Sequence, residues 1–200
     1  MKSILFTVGN YTEIPSAEHI CTHTGKNKIV FVGKMDYDPN VIATTWFVKN
    51  ILPELNKTYP DLVFQIVGAY PHKKVIKLGE NNKNVEVTGR VESIEPYFKG
   101  LTIFVAPMLT GAGIQNKIIQ AMSYSCCVVT TPTGAEGLDI QNGEIAICSG
   151  VDQWIDCVRE LLDSPSKRIE MGIKARQYII NHLSAESVEK DFLDFININK

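Results

Sequence analysis

What this sequence lacks narrows it first. It has no excess of positive charge: 20 lysines and arginines stand against 22 aspartates and glutamates, for a net charge of −2. No broad basic field exists to neutralise a nucleic-acid backbone, although a few local cations can still hold a phosphate. No apolar run approaches the roughly 20 residues of a membrane-spanning helix. The opening Met1–Val8 is too short for a secretory signal and lacks a small-residue cleavage pattern. No Cys-x-x-Cys occurs, and no histidine stands near a cysteine at metal-ligand spacing. The odd set Cys21, Cys126, Cys127, Cys148 and Cys157 reads as reduced core thiols of a cytoplasmic protein. A redox role for the vicinal pair Cys126-Cys127 is the weaker reading. His19, His23, His72 and His182 show no triad spacing. There is no internal repeat and no low-complexity segment. No Gly-x-Gly-x-x-Gly follows the first strand, which weighs against a dinucleotide-binding oxidoreductase.

What is present is a globular composition. Hydrophobic residues make up 44% of 200 positions, enough for one α/β domain with a core and slightly more. Ser3 to Val8 reads as a short strand and Gly9 to Asn27 as linker. From there short apolar runs that end in glycine alternate with helical patterns. Lys28 to Gly33, Leu62 to Gly68, Val85 to Gly89, Leu101 to Ala106, Cys127 to Thr131 and Glu144 to Cys148 read as strands. Asp38-Pro39 opens a helix, with Asp38 as N-cap and Ile42, Trp46, Phe47 and Ile51 as its apolar side; Pro53 and Tyr59-Pro60 close that region. A further helix covers Lys73 to Asn81, and Ser93 caps a short turn through Phe98. The last fifty residues are helical: Ser149 and Asp152 suggest a capping box ahead of Trp154, Ser164-Pro165 starts the next helix, and Ser184 a final one with Val188, Phe192 and Ile196 on a stripe. The fold class that follows is α/β, a Rossmann-like doubly wound parallel sheet of about six strands with helices on both faces.

In such sheets ligands bind beyond the carboxyl ends of the strands. The stretch Pro107 to Met122 is the strongest candidate. It runs from a strand through Gly111-Ala112-Gly113 into a helix, and a helix start offers unpaired N–H groups and a positive dipole end. Ile118, Ala121 and Met122, with Ile114, would face the sheet. Asn116, Lys117 and Gln120 would form a polar stripe, with Lys117 one turn from the helix start. Lys34 after Gly33 and Arg90 after Gly89 would reach the same crevice. Each cation alone reads as a solvated surface residue; three at three strand ends can neutralise a diphosphate. Glu136, in Thr133–Leu138, orders its loop or holds a sugar hydroxyl, with the first role favoured.

Five blocks then come in a telling order: 31–40, 87–91, 104–107, 111–122 and 133–138. Together they resemble the C-terminal, donor-binding domain of the retaining GT-B glycosyltransferases, group 1 family, from about Ile29 to the end. The resemblance implies a division into 1–26 (strand and linker of a preceding domain), 27–182 (nucleotide-sugar-binding domain) and 183–200 (a C-terminal crossover helix). It implies sugar transfer from a nucleoside diphosphate sugar with retention, to a polysaccharide or glycolipid acceptor, with no cofactor and no metal. The pyrophosphate would rest on the amides of Gly111, Ala112, Gly113 and Ile114, with Lys34 and Lys117 as charge partners and Gly33 beneath. Gly89, Arg90 and Val91 would lie beside the base. Gln120 stands where the family has an acid for the ribose, Ala112 where it has an acid for the sugar, and the neutral Asn40 near where it often has a second phosphate cation. The acceptor-binding domain is not in these residues, so the implied partner is that domain, in cis or in trans. A homodimer through the last helix and a peripheral membrane contact through the acceptor are further expectations. A non-catalytic nucleotide-sugar-binding or partner-docking half of a split or decayed transferase is the alternative.

Overall fold

The computed structural model describes residues 11–16, 28–99 and 102–198. The strand expected at Ser3 to Val8 and the residue Cys21 lie outside them. Six strands form one parallel sheet: β1 (Lys28–Val32), β2 (Val63–Val67), β3 (Val85–Gly89), β4 (Ile103–Ala106), β5 (Cys127–Thr130) and β6 (Ala146–Ile147). Their spatial order is β3-β2-β1-β4-β5-β6. The burial follows from that order. The interior strands β4 and β5 are buried at every residue, and β1 at all but its first. That is why they read as unbroken apolar runs. β3, on one edge, is buried only at Val85.

The helices are α1 (Asp38–Asn50), α2 (Leu52–Thr58), α3 (Lys73–Glu80), α4 (Glu95–Phe98), α5 (Asn116–Ser123), α6 (Val151–Asp163), α7 (Pro165–His182) and α8 (Ala185–Ile198). α1 packs on α2 and α3, whereas α5 packs on β5 and α7. The sheet order reverses direction between β1 and β4, and right-handed crossovers on either side of such a reversal place their helices on opposite faces. Trp154 of α6 is fully buried against Trp46 and Phe47 of α1, with ring centroids 5.9 and 6.0 Å away. Phe47 in turn lies 4.7 Å from Phe64 of β2. α2 and α6 are tied by Tyr59, whose hydroxyl donates to Asp163 at 2.5 Å.

Several local expectations need correction. The N-cap of α1 is Tyr37 with no side-chain cap bond; Asp38 is already inside the first turn. Ile42 is 42% exposed, and Val41, Thr44, Phe47 and Val48 make the buried side instead. Pro53 does not close a helix but sits in the first turn of α2, where its missing N–H costs nothing. α6 is entered through Gly150, and the side chain that closes its start is Gln153, which accepts from the Ser149 N–H at 2.8 Å, rather than Asp152. The hydroxyls of Ser164 and Ser184 do accept from the first turns of α7 and α8.

The loops beyond the carboxyl ends are fixed by backbone. Gly33 donates to Val67 at 3.0 Å and Gly68 to Gly89 at 3.2 Å, so the ladder continues past the strands. A Cβ on Gly68 would fall 1.7 Å from the Gly33 carbonyl oxygen, so only glycine permits this crossing. On the other side, the buried Thr130 and Thr131 hydroxyls donate to Ala106 and Met108 carbonyls at 2.7 and 2.6 Å, clamping the exit of β4 to that of β5. The segment at Tyr11–Ser16 enters beside α5 and α7. Thr12 donates to the Leu183 carbonyl at 2.9 Å, and the Arg176 guanidinium donates both to the Pro15 carbonyl, at 2.6 Å, and to the Ser123 carbonyl at the end of α5.

Candidate functional site

All strands being parallel, their carboxyl ends lie along one edge of the sheet. Along that edge come Arg90 after β3, Tyr70 after β2, Lys34 after β1, the Gly111–Gly113 turn and Lys117 after β4, and Glu136 after β5.

The centre of the site is the passage from β4 into α5. Pro107 and Met108 are buried, and the chain then emerges through the exposed Gly111-Ala112-Gly113 turn. α5 begins at Asn116, later than the glycines suggest, with Gln115 as its N-cap residue. Gly113 has φ +69°, a left-handed conformation that suits glycine. The first turn of α5 holds no acidic residue, so this helix start brings no anion of its own.

Lys117 is the main departure from the expected layout. It does not belong to the solvent stripe with Asn116. Its side chain is half-buried and turns inward, with Nζ 5.8 Å from the centre of the Phe31 ring on β1. Nζ donates to Gln115 Oε1 at 2.9 Å and lies 3.8 Å from Met108 Sδ. Among the described residues it pairs with no carboxylate. Burial without a counter-charge disfavours the ammonium form and lowers its pKa from 10.5 to about 8. The long aliphatic stem explains the geometry: it packs along apolar neighbours while the head reaches the Gln115 amide oxygen at the helix start. Gln115, Met108 and Phe31 were not singled out in the sequence. Gln115 alone had a signal, as a polar residue at the N-cap two positions before the lysine.

Glu136 makes the loop-ordering contact: its Oε2 accepts from the Gly113 N–H at 3.2 Å. Gly137, with φ +82°, brings this loop so close that a Cβ there would meet Ile114 Cγ1 at 2.8 Å. The Gly113 N–H is thus occupied by a carboxylate oxygen of the same chain. An incoming anion on the same amide would displace Glu136.

Lys34 is exposed beyond β1, 3.3 Å from Asp36, with Nζ 5.7 Å from the ring centre of Tyr70. Arg90 is exposed at the end of β3. Gly89 has φ +69°, and Val91 is half-buried beside it. Asn40 is buried, and its Nδ2 donates to the Lys34 carbonyl at 2.9 Å, so it orders the Lys34 loop and supplies no charge. Gln120 lies further down α5, lining a cavity of about 240 Å³ with residues 12–15, Ser123 and Tyr124. Ala112 is exposed in the turn. His72, at the start of α3, accepts from the Lys74 N–H through Nδ1 at 3.1 Å. Among the described residues no group of three or more His, Cys, Asp or Glu side chains is placed to hold a metal ion, and no helix is long and apolar enough to cross a membrane.

A six-stranded parallel sheet flanked by helices is the Rossmann-like architecture of the GT-B glycosyltransferases. The chain belongs to the glycosyl transferases group 1 family, whose profile matches residues 26–164. An uncharacterized 44.6 kDa protein in the cps region of Klebsiella pneumoniae is 30% identical over 123 residues, covering 58% of this chain and 32% of that protein. The fold matches the crystal structure of TarM with a TM-score of 0.76 at 23% identity, over 96% of this chain and 39% of TarM. A mutant of S. aureus TarM has been crystallised with UDP, α-GlcNAc-glycerol and Fondaparinux. The C-terminal domain of the group 1 family protein LpcC from Francisella tularensis matches with a TM-score of 0.59 at 16% identity, over 84% of this chain and 90% of that one. The chain therefore spans well under half the length of TarM and of the Klebsiella relative.

Proposed function

We propose that this chain is the donor-side domain of a hexosyltransferase, binding a nucleoside diphosphate sugar whose sugar passes with retention to a polysaccharide or glycolipid acceptor. One observation carries the reading: the half-buried ammonium of Lys117, without a carboxylate partner among the described residues, beside a glycine turn that already holds a carboxylate oxygen. A diphosphate supplies the missing charge. The UDP present with TarM supports a ligand of this class.

In this reading the diphosphate rests on the amides of Gly111, Ala112, Gly113 and Ile114, flanked by Lys117 and Lys34, with Gly33 below. Gly89, Arg90 and Val91 neighbour the base. Glu136, displaced from Gly113, turns to a sugar hydroxyl, and Gln120 approaches the ribose. As the bond from the anomeric carbon to the diphosphate breaks, negative charge grows on the leaving oxygen. The preorganised amides and lysines stabilise that charge more than they stabilise the ground state. The acceptor hydroxyl forms its bond on the face the diphosphate leaves, and the departing phosphate oxygen takes its proton. None of these steps calls on a metal or cofactor. The acceptor is held by a separate domain, so the isolated chain is a partial enzyme.

Calorimetric titration with UDP, ADP and GDP tests the site. At least one binds, and Lys117→Ala weakens it by about 1–3 kcal/mol, the scale of a charge-assisted hydrogen bond. No binding by any of them at millimolar concentration rejects the donor site. A second reading, a non-catalytic binding half, is favoured by Ala112 and Gln120, which bring no carboxylate to the two positions where the family has acids. Transfer by this chain mixed with an acceptor domain, against binding without transfer, separates the two.

A further inference from the structure

Tyr70 is held in a conformation that its own backbone resists. Its φ is +56°, in the left-handed region, and it is one of two described non-glycine residues there. The next residue is Pro71, whose ring pushes the preceding residue towards extended backbone. Both effects oppose the observed geometry. Two hydrogen bonds impose it from either side: Met35 N–H donates to the Ala69 carbonyl and His72 N–H to the Met35 carbonyl, both at 2.9 Å. The loop after β2 is thus clipped to the loop after β1. The strain wins no core packing, because Tyr70 is 63% exposed. Lys34 lies over its ring, with Nζ 5.7 Å from the ring centre. Strain retained around an exposed aromatic side chain in a ligand crevice points to a role in that crevice.

The position indicates which part of the ligand it meets. Along the edge the order is Arg90 at β3, Tyr70 at β2, Lys34 at β1, Lys117 beyond β4 and Glu136 beyond β5. With the diphosphate between the ends of β1 and β4, the nucleoside extends towards β3 and must pass β2. Neighbouring strands are about 4.8 Å apart, so a ring at the end of β2 is within one ring's reach of that path.

We propose that Tyr70 is a nucleoside-binding residue that stacks on the nucleobase of the donor, while Lys34, on its other side, faces the diphosphate. The assignment rests on the donor-site reading above. An aromatic wall tolerates any base, since each has a π face, so Tyr70 adds affinity for nucleosides over bare diphosphate without choosing among bases.

The test is calorimetry of the wild type, Tyr70→Gly, Tyr70→Phe and Lys117→Ala with UDP, ADP, GDP and inorganic pyrophosphate. Glycine accepts left-handed backbone, so Tyr70→Gly keeps its fold; circular dichroism confirms that. Tyr70→Gly should weaken the nucleoside diphosphates roughly tenfold or more and leave pyrophosphate within about twofold, with Tyr70→Phe close to wild type. Equal losses for nucleotide and pyrophosphate would mean that the ring acts by steadying Lys34, and would overturn the stacking role. Unchanged nucleotide affinity would overturn it too. In both cases a loss on Lys117→Ala leaves the donor site itself standing. If no nucleotide binds the wild type at millimolar concentration, the donor site and the stacking role fall together.

Discussion

Lys117 costs the ligand-free protein stability. Its pKa of about 8 in the folded chain lies below the ordinary 10.5. Between those values the unfolded chain keeps a proton that the folded chain has released, so this lysine makes stability rise with pH from about 8 to 10.5. Below pH 8 the buried ammonium is present and its desolvation is uncompensated. Lys117→Met keeps an unbranched side chain and removes the charge. It should stabilise the ligand-free protein at pH 7 by about 1–3 kcal/mol and lose that advantage by pH 10, as urea titrations at the two pH values would read. The same variant should weaken nucleoside diphosphate binding by about 1–3 kcal/mol, as Lys117→Ala does. In the wild type, affinity should fall as the pH passes above about 8, because the site loses the proton that pairs with the phosphates.

At the scale of elements, the bond between α2 and α6 can be tested on its own. Burial first, then the hydrogen bond and charge of Asp163, push the Tyr59 pKa up to about 12. A raised folded value means a contribution that is complete below pH 10 and is lost as the pH rises towards 12. Tyr59→Phe should cost about 1 kcal/mol at pH 7, and the gap to wild type should close across that alkaline window. The sequence showed the strands well because β1, β4 and β5 are covered on both faces, and such strands carry no polar alternation to confuse them. It misread the α1–α2 region because proline ends one helix and begins another with the same residue, and Pro53 does the second. Of the candidate site, the backbone parts were legible, the glycines and strand ends, which are local. It was illegible where a side chain's direction depends on a distant strand. Lys117 turns inward because Phe31 lies there, and Tyr70 reads in sequence as an ordinary surface tyrosine because its strain comes from hydrogen bonds to Met35.

At the scale of the whole molecule, the candidate crevice lies open along one edge of the sheet. The chain spans 39% of TarM, and the edge that carries Lys34, Lys117 and Glu136 has no opposing surface among the described residues to shield it from water. A glycosyl donor held on an open wall gains charge stabilisation but not exclusion of water. Purified alone, the chain should therefore bind donor yet transfer sugar well below about 1 per second, the low end of ordinary turnover. A radiolabelled-donor assay measures this, and normal turnover by the isolated chain would show that the acceptor is held here as well. The guanidinium of Arg176 joins residues 11–16 to the helix α5. It grips the Pro15 carbonyl with one nitrogen and the last turn of the Lys117 helix with another. Residues 11–16 are thus coupled through one side chain to the helix that carries Lys117, so a displacement of that segment reaches the candidate site without passing through the sheet.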